Sequence, residues 1–401
     1  MQAANQENHP PKGEILSFDN TEIAFKNKTD KDLNRAYWLF KIININVLTK
    51  IGPPLTNFAI KIGLPITGLI KATIFKHFCG GETIADSEPT IAQLASGKVG
   101  TILDYSVEGE EEELVFEETC QEIIRTIERA KGDQRIPLTV FKLTGVARFA
   151  LLAQLDAKQE LSFEEKQEFE RVKERVKRIC SRAAELQVPV MIDAEESWIQ
   201  DTIDELALEM MRLYNRKQLL VYNTYQLYRH DKLADLQKDI AVAKKEGFIL
   251  GAKLVRGAYM EKERKRAADL GYPSPIQPDK TSTDRDYDAA VAYCMQHIEH
   301  VGFVAGTHNE QSCRILAELL DQQGVEHQHK HVFFSQLLGM SDNLSFNLAN
   351  AGYNVAKYVP YGPVKAVLPY LFRRAQENTS IAGQMGRELT LILKEKQRRG
   401  R

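Results

Sequence analysis

Apolar and polar positions follow a repeating order along most of the chain: a short apolar run ends in a polar residue, and a longer amphipathic stretch follows. The short runs are typical of strands buried in a parallel sheet, and the longer stretches repeat apolar residues at helical spacing. The predicted strands are Thr101–Val107, Leu138–Leu143, Val188–Asp193, Leu219–Asn223, Ile249–Val255, Val301–Thr307, His331–Phe334 and Tyr353–Tyr358. The helices predicted between them include Glu117–Ala130, Phe163–Leu186, Thr202–Asn215, Lys232–Lys245, Asp286–His300 and Glu310–Gln323.

This rhythm of strand and helix predicts an α/β fold, a (β/α)8 barrel of the TIM type. A doubly wound open sheet fits the same spacing, but that fold usually carries a glycine-rich phosphate turn after its first strand. No GxGxxG, GxxxxGK[ST] or GxSxG motif occurs in the chain, which favours the barrel. We predict a flexible polar arm at residues 1–30, a helical segment at 31–98 and the barrel domain at 99–401.

The helical segment is rich in Ile, Leu and Phe between Leu33 and Phe78, but lysines and prolines interrupt it. No uncharged stretch approaches the ~20 residues that a membrane span needs. Short helices packed on the barrel are the preferred interpretation. Peripheral contact of their lysine-flanked apolar faces with a membrane surface is the alternative.

Composition narrows the class of protein. The chain has 401 residues and a net charge of −2, so no global basic field indicates a nucleic-acid partner. Its five cysteines are scattered, which indicates free thiols in a reducing compartment. Three alternating histidines at 327, 329 and 331 have no clear further ligand, and we expect no metal site. The first 20 residues lack the features of a signal or transit peptide, so we expect a cytoplasmic protein.

Polar side chains end nearly every predicted strand. In a barrel, the carboxyl ends of the strands meet at one mouth, where active sites are built. The strand-end residues are Lys142, Asp193, Glu195, Asn223, Tyr225, Gln226, Lys253, Arg256, Thr307, His308, Asn309, Gln336, Tyr358 and Tyr361. Lys253 and Arg256 could each pair with a carboxylate or extend to solvent instead. Their convergence with the other strand ends nevertheless predicts a site.

A second motif lies near the end of the chain, where Tyr370–Asn378 reads YLFRRAQEN. Glu377 follows Arg373 by four residues, so both can share one face of a helix. The adjacent Arg373 and Arg374 suit bidentate capture of a carboxylate, while Asp193 and Glu377 can accept an ammonium group. Alone, the motif could equally be an ordinary surface helix. Combined with the strand ends, it predicts a pocket for an amino acid.

These motifs together resemble the proline dehydrogenase family. The resemblance covers roughly Val99 to Glu388 and is closer to the eukaryotic-type branch. Because the sequence is too short for the aldehyde dehydrogenase domain of the bifunctional members, we expect a stand-alone enzyme. The matching stretches are KLTG around Lys142, DAEESW at Asp193–Trp198, YNTYQ at Tyr222–Gln226, GAKLVRGAYMEKER at Gly251–Arg264, THNE at Thr307–Glu310, QLLGM at Gln336–Met340, KYVPYGPV at Lys357–Val364, and YLFRRAQEN.

The resemblance implies a distorted (β/α)8 barrel that holds FAD at the carboxyl ends of its strands. It implies catalytic roles for Asp193, Lys253 and Arg256. The residues implied to bind the substrate are Lys142, Leu337, Tyr358, Arg373, Arg374 and Glu377. The residues implied to line the flavin are Ala194, Gln226, Lys253, Arg256, Gly257, Ala258, Thr307 and His308.

Individual roles also come from the resemblance. Arg373 and Arg374 bind the proline carboxylate, whereas Leu337 and Tyr358 pack on the ring. One departure concerns the basic pair of the fifth strand, which reads R-L-V-K in many bacterial members and K-L-V-R here. Arginine and lysine are not interchangeable at such sites, so the residue that contacts the N5 side of the flavin stays open.

The function implied by the resemblance is FAD-dependent oxidation of L-proline to Δ1-pyrroline-5-carboxylate, with electrons passed to a membrane quinone. This is the first step of proline degradation to glutamate. Hydroxyproline oxidation is the nearest alternative, although that branch of the family tends to carry a smaller residue where this chain has Tyr358. A non-catalytic amino-acid-binding barrel and a Schiff-base aldolase using Lys142 or Lys253 are alternatives from other classes.

Overall fold

A closed barrel of parallel strands forms the centre of the molecule. We describe a computed structural model over residues 16–43, 66–107, 111–380 and 384–401, leaving aside the side chains of residues 375–385. Each strand pairs in parallel with the next, and the last pairs with the first. The strands are β1 (Gly100–Tyr105), β2 (Leu138–Lys142), β3 (Val190–Asp193), β4 (Val221–Gln226), β5 (Leu250–Val255), β6 (Val301–Gly306), β7 (Val332–Leu337) and β8 (Val355–Tyr361). The predicted (β/α)8 barrel is confirmed.

Helices precede, connect and follow the strands. Before the barrel come α1 (Thr21–Phe25), α2 (Asp30–Ile43), α3 (Thr67–Ile70 and Lys76–Phe78, joined by the π turn Lys71–Phe75) and α4 (Ile84–Ser96). Between strands lie α5 (Glu113–Ala130), α6 (Phe149–Asp156), α7 (Phe163–Leu186), α8 (Gln200–Tyr214), α9 (Lys232–Glu246), α10 (Met260–Leu270), α11 (Lys280–Gln296), α12 (Glu310–Gln322) and α13 (Asp342–Asn350). After β8 come α14 (Val364–Ser380) and α15 (Gln384–Arg398), and the 3-10 turn Leu143–Gly145 follows β2.

Three strands extend further than the apolar pattern predicts. β4 continues to Gln226, β7 to Leu337 and β8 to Tyr361. The extra residues of β4 and β7 include polar side chains near the barrel mouth, so the hydrophobic pattern stops before the strand does. Helix α13 was also missed. Its residues 342–349 are all buried, which leaves no amphipathic stripe to recognise.

The barrel has an inner and an outer apolar layer. The inner layer is a small cluster within the barrel that includes Ile102, Leu138, Val140, Met191, Tyr222, Val304, Ala356 and Tyr358. The outer layer is much larger and lies between the strands and the surrounding helices. Since side chains alternate along a strand, residues two positions beyond the inner cluster also point inward.

A third apolar cluster joins the two terminal regions, and we call it the terminal cluster. Phe40 of α2 and Phe78 of α3 pack in it with Leu371 of α14 and Leu391 of α15. It also contains Met340, which follows β7, so the terminal cluster lies at the carboxyl end of the barrel. Helices from both ends of the chain therefore pack together beside the mouth.

The predicted division at residues 30/31 and 98/99 stays a prediction. Residues 1–15 of the predicted arm and 44–65 of the predicted helical segment lie outside the described residues. Where the segment is described, α2 and α3 pack into the terminal cluster. None of the helices within the described ranges combines the length and apolarity needed to cross a membrane.

Candidate active site

A buried group of three polar side chains lies at the barrel mouth. Lys253 Nζ donates to Asp193 Oδ1 at 2.6 Å, and Tyr358 OH donates to Asp193 Oδ2 at 2.5 Å. The ammonium also lies 4.3 Å from the centroid of the Tyr358 ring. All three residues are less than 10% exposed. The carboxylate is thus paired with one cation and one hydroxyl, as a buried charge requires.

The alternation of side chains along the strands explains why Asp193 and Tyr358 both point into the barrel. Asp193 lies two residues after Met191 on β3, and Tyr358 lies two after Ala356 on β8, so both continue an inward-facing row. Burial and the charge of Asp193 raise the pKa of Tyr358 well above its usual range. The phenol therefore stays a neutral hydrogen-bond donor near neutral pH.

Two further ionisable residues lie beside Asp193: Lys142, at the end of β2, and Glu195, just after β3. Lys142 of β2 pairs in register with Asp193 of β3. Glu195, which follows β3, accepts hydrogen bonds from the Thr144 backbone N–H at 3.0 Å and from the Thr144 hydroxyl at 2.5 Å. Burial raises the pKa of Glu195 to about 7, against the lowering effect of Lys142. Glu195 was predicted only as a strand-end residue, although its spacing of two from Asp193 places both on one side of the chain.

The two basic residues at the end of β5 have different surroundings. Arg256 comes three positions after Lys253 and lies just beyond the end of β5, so the two side chains have different partners. The Arg256 guanidinium donates to Asp284 at 2.7 Å, to the Thr307 hydroxyl at 2.8 Å and to the Ser312 hydroxyl at 2.9 Å. The Lys253 ammonium instead lies within the barrel, on Asp193.

Two features at the ends of β4 and β5 bear on ligand binding. Gln226 is 2% exposed, and its Oε1 has no hydrogen-bond partner among the described residues. A buried acceptor of this kind requires a partner. Gly257 has a φ of +134°, and a Cβ placed there would lie 2.4 Å from the Tyr228 ring. The exposed Ala258 follows it, and Ala194, at 9% exposure, follows Asp193.

His308 connects the β6 and β7 ends of the mouth. Its Nδ1 lies 2.9 Å from Ser341 Oγ, and its Nε2 lies 3.5 Å from the backbone N of Leu337. Partial burial lowers the pKa of His308 to about 3, helped by the positive charges of Lys357, Arg374 and Arg256. The imidazole is therefore neutral. Leu337 pairs in register with Tyr358, which places it beside the buried polar group.

The paired arginines lie on α14, each beside a tyrosine. The Arg373 guanidinium carbon is 5.8 Å from the centroid of the Tyr259 ring, and that of Arg374 is 5.1 Å from the Tyr370 ring. Arg374 is 6% exposed. Neither tyrosine was predicted as a site residue. Tyr370 precedes Arg374 by four residues, one helical turn, which is the signal that could have found it.

The structure brings most of the predicted residues to one mouth. Tyr370 lies close enough to Tyr358 to raise its pKa, which links the α14 arginines to the buried polar group. Glu377 belongs to α14, but its side chain lies outside the described residues. Of the alternating histidines, His327 hydrogen-bonds Asp321 and precedes β7, at the opposite end of that strand from the mouth. The roles assigned to individual residues stay predictions.

Comparison with known proteins identifies a family and several relatives of this chain. A family model described as proline dehydrogenase matches residues 87–387. Proline dehydrogenase 2, mitochondrial, of Arabidopsis thaliana is 31% identical over 449 residues, covering 96% of this chain and 93% of that protein. Proline dehydrogenase 1, mitochondrial, of Drosophila melanogaster is 39% identical over 259 residues, covering 62% of this chain and only 37% of that protein. This chain therefore matches well under half of the Drosophila relative's length.

Among solved structures, the crystal structure of proline utilization A (PutA) from Bdellovibrio bacteriovorus inactivated by N-propargylglycine has a similar fold. Its TM-score is 0.70 at 19% sequence identity, covering 94% of this chain and 40% of that chain. At this identity the likeness concerns the fold alone.

The prediction of a cytoplasmic location was wrong. It rested on the composition of the first 20 residues, whereas the Arabidopsis and Drosophila relatives are both named mitochondrial. A compartment is set by a transport signal, and the residues that build a barrel carry no such signal. The composition of the chain was therefore a poor guide to its location.

Proposed function

Because the chain belongs to the proline dehydrogenase family, we propose that it catalyses the FAD-dependent oxidation of L-proline to Δ1-pyrroline-5-carboxylate. This reaction would be the first step of proline degradation to glutamate. The observation that carries the proposal is the mouth itself, where the buried Asp193–Lys253–Tyr358 group lies near the arginines of α14. The two guanidinium groups of α14 suit the carboxylate of an amino acid.

The substrate would be held by its two charged groups and its ring. Arg373 and Arg374 bind the carboxylate through charge-assisted hydrogen bonds. Lys142 and Glu377 complete that side of the pocket, while Leu337 and Tyr358 pack on the ring. Holding the ring between fixed groups converts binding energy into orientation of the reacting C–H bond.

The residues at the mouth fit a flavin. The buried Gln226 Oε1 offers an acceptor without a partner among the described residues, and the exposed Gly257 and Ala258 carry no large side chain that would obstruct a ligand. Ala194, Arg256, Thr307 and His308 would complete the lining. Bound FAD supplies the acceptor for the hydride that leaves the proline ring.

The chain's own part in the reaction is orientation and electrostatics. Lys253 and Arg256 would place positive charge beside a bound flavin, where a cation stabilises the negative charge of the reduced ring. Asp193 fixes Lys253 and Tyr358 in place through its two oxygens. The phenol of Tyr358 fills the space that a ring hydroxyl would need, which favours proline over hydroxyproline.

Electrons would then pass to a quinone, and a peripheral membrane contact would bring the enzyme to it. The outer face of α2 exposes Trp38 at 57% and Ile42 at 51%, one turn apart, and α3 exposes Leu69 at 68%. The Lys41 ammonium lies 4.9 Å from the Trp38 ring. Exposed apolar side chains flanked by lysine suit an anionic lipid surface. Packing and membrane contact thus use opposite faces of α2.

An absorbance spectrum of the purified full chain tests the proposal. We expect flavin bands that bleach when L-proline is added without oxygen. A colourless protein that forms an imine with an aldehyde or ketone would favour the aldolase alternative. Flavin bands unchanged by L-proline and bleached by 4-hydroxyproline would favour hydroxyproline oxidation. Bands unchanged by both would contradict the proposed activity.

A further inference from the structure

Glu388 is a buried acid on α15 that contacts the loop after β7. It is 6% exposed, and its Oε1 accepts a hydrogen bond from the Ser341 backbone N–H at 2.5 Å. Ser341 has a φ of +49° and a ψ of 44°, a left-handed conformation that non-glycine residues rarely adopt. Such a conformation persists where surrounding contacts hold it. The Glu388 carboxylate supplies one of these contacts.

The Ser341 side chain in turn reaches His308. The Leu337 backbone N–H can only donate, so His308 Nε2 is the acceptor in their 3.5 Å contact. In the neutral imidazole, Nδ1 then carries the hydrogen and donates to Ser341 Oγ at 2.9 Å. A continuous series of contacts therefore runs from Glu388 through Ser341 and His308 to Leu337.

We propose that Glu388 is a positioning residue, which fixes the tautomer and orientation of His308 through Ser341. The inference rests on the proposed function, in which His308 lines the flavin and Leu337 packs on the substrate ring. It extends that function, because it makes α15 part of the site although none of the predicted site residues lies on this helix. The carboxyl-terminal helix thereby sets the geometry of the flavin side of the mouth.

Charged groups from three other elements face Glu388. Asp342 lies on α13, Lys357 on β8, and Lys28 follows α1. Burial and the negative charge of Asp342 raise the pKa of Glu388 to about 7, while Lys357 and Lys28 lower it. Near neutral pH, proton uptake by Glu388 would weaken its hydrogen bond with Ser341. The pKa of His308 itself lies near 3. Any change in the His308 ring near neutral pH would therefore report the protonation of Glu388.

The test compares two buried acids of the same helix. Glu395 is 0% exposed and binds Arg398 and Arg399, so it is a matched control without the contact to Ser341. We expect Glu388→Ala to weaken FAD binding about tenfold, the effect of losing one hydrogen bond to a charged group. It should also shift the ¹⁵N signal of His308 Nδ1. Glu395→Ala should lower Tm but leave FAD affinity within about twofold.

Two further variants separate positioning from general stability. Glu388→Gln keeps a carbonyl acceptor for Ser341 and should restore most FAD affinity. Ser341→Gly tolerates the positive φ and removes the CH2OH side chain, and with it the hydroxyl that contacts His308. If Glu388 acts through Ser341, the FAD losses of Glu388→Ala and Ser341→Gly should not add in the double variant. Additive losses, or an equal FAD loss in Glu395→Ala, would overturn the positioning role.

The His308 signals also decide the case if Glu388→Ala does not fold. In the unsubstituted chain they should move with an apparent midpoint near pH 7, and in Glu388→Gln this movement should disappear. Its persistence would contradict the inference. These signals can be read in flavin-free protein, so a chain that binds no FAD would refute the proposed function without deciding the role of Glu388.

Discussion

At the residue scale, the direction of each side chain from its strand decides its chemistry. Lys253 points into the barrel, where one compact ammonium meets Asp193. Arg256, just beyond the end of β5, donates to three separate acceptors, among them Asp284 and Thr307. A planar guanidinium with five N–H groups suits several acceptors, whereas an ammonium suits a confined point contact. In the K-L-V-R order of this chain, the lysine has the confined contact and the arginine has the several acceptors.

Removing the buried guanidinium of Arg374 should weaken carboxylate binding. We expect Arg374→Met to lower kcat/KM for L-proline by roughly 30- to 1,000-fold, equivalent to about 2–4 kcal/mol for a hydrogen-bonded charge. The exposed Arg171, which pairs with Glu113 on the barrel's outside, provides the control Arg171→Met. Steady-state kinetics with a soluble dye acceptor measures both. An Arg374→Met value within about twofold of the control would disprove the assignment.

Two substitutions of Tyr358 separate its ring from its hydroxyl. Tyr358→Ser removes the ring that packs on the substrate, so the ratio of kcat/KM for 4-hydroxyproline to that for L-proline should rise about tenfold. Tyr358→Phe keeps the ring but leaves Asp193 with one donor fewer, so both values should fall while their ratio stays within about twofold. An unchanged ratio in the serine variant would show that Tyr358 does not face the ring.

At the element scale, β8 serves two layers with adjacent residues. Tyr358 points into the barrel, while Lys357 points outward and is 0% exposed. The Lys357 ammonium contacts Asp342 at 2.9 Å and the carbonyl oxygen of Met340 at 2.6 Å. Lys357 of β8 thus holds the loop after β7, while the adjacent Tyr358 contributes to the site inside the barrel.

Breaking the buried pair of β8 should destabilise the fold. Asp342 keeps Lys28 at 3.1 Å, so Lys357→Met should cost about 3 kcal/mol, the lower end for a broken buried pair. Lys365→Met, at an exposed position of α14, should change the free energy of unfolding by less than about 0.5 kcal/mol. Urea unfolding at pH 7 compares them. Equal midpoints would mean that the Lys357 pair contributes no net stability.

The raised pKa of Glu195 predicts a dependence of stability on pH. Its pKa is about 7 when folded and 4.5 when exposed, so the folded state holds the proton more tightly. The favourable contribution is complete below the unfolded pKa and is lost as pH rises through 7. Between pH 4.5 and 8, this loss amounts to about 3 kcal/mol. Glu195→Gln should not show this loss. As the pH rises from 4.5 to 8, its free energy of unfolding should therefore increase relative to that of the unsubstituted chain. Parallel pH curves would contradict the assignment.

Elements could be predicted from sequence where their pattern is periodic, and site residues where a local motif or strand parity places them. Amphipathic α7 was predicted with its observed bounds, whereas α13, buried at residues 342–349, offered no apolar period. The cluster of Asp193, Lys253 and Tyr358 follows from strand parity once the barrel is assumed. The contact of Ser341 with Glu388 does not, because it depends on how α15 packs rather than on any spacing along the chain.

At the scale of the whole molecule, the two ends of the chain hold each other beside the mouth. Arg387 of α15 donates to Glu310 at 2.8 Å, just after the His308 turn, and to Asp19 at 2.7 Å. Arg399 donates to Asp30 at the start of α2. Deleting the segment 33–78 would therefore expose the terminal cluster and disturb α14, which carries the arginines. A membrane role of this segment needs surface substitutions rather than truncation.

The exposed face of α2 provides that test. The double variant Trp38→Ala/Ile42→Ser changes side chains that point to solvent and leaves Phe40 in the terminal cluster. We expect the unsubstituted chain to sediment with anionic vesicles and to be partly released by salt, because screening weakens the attraction of lysines to lipid. The double variant should bind several-fold less while turnover with a soluble dye stays within about twofold. Phe163→Ser/Leu213→Ser, which removes exposed apolar side chains elsewhere, is the control. If both double variants sediment like the unsubstituted chain, the exposed face of α2 does not contact the membrane.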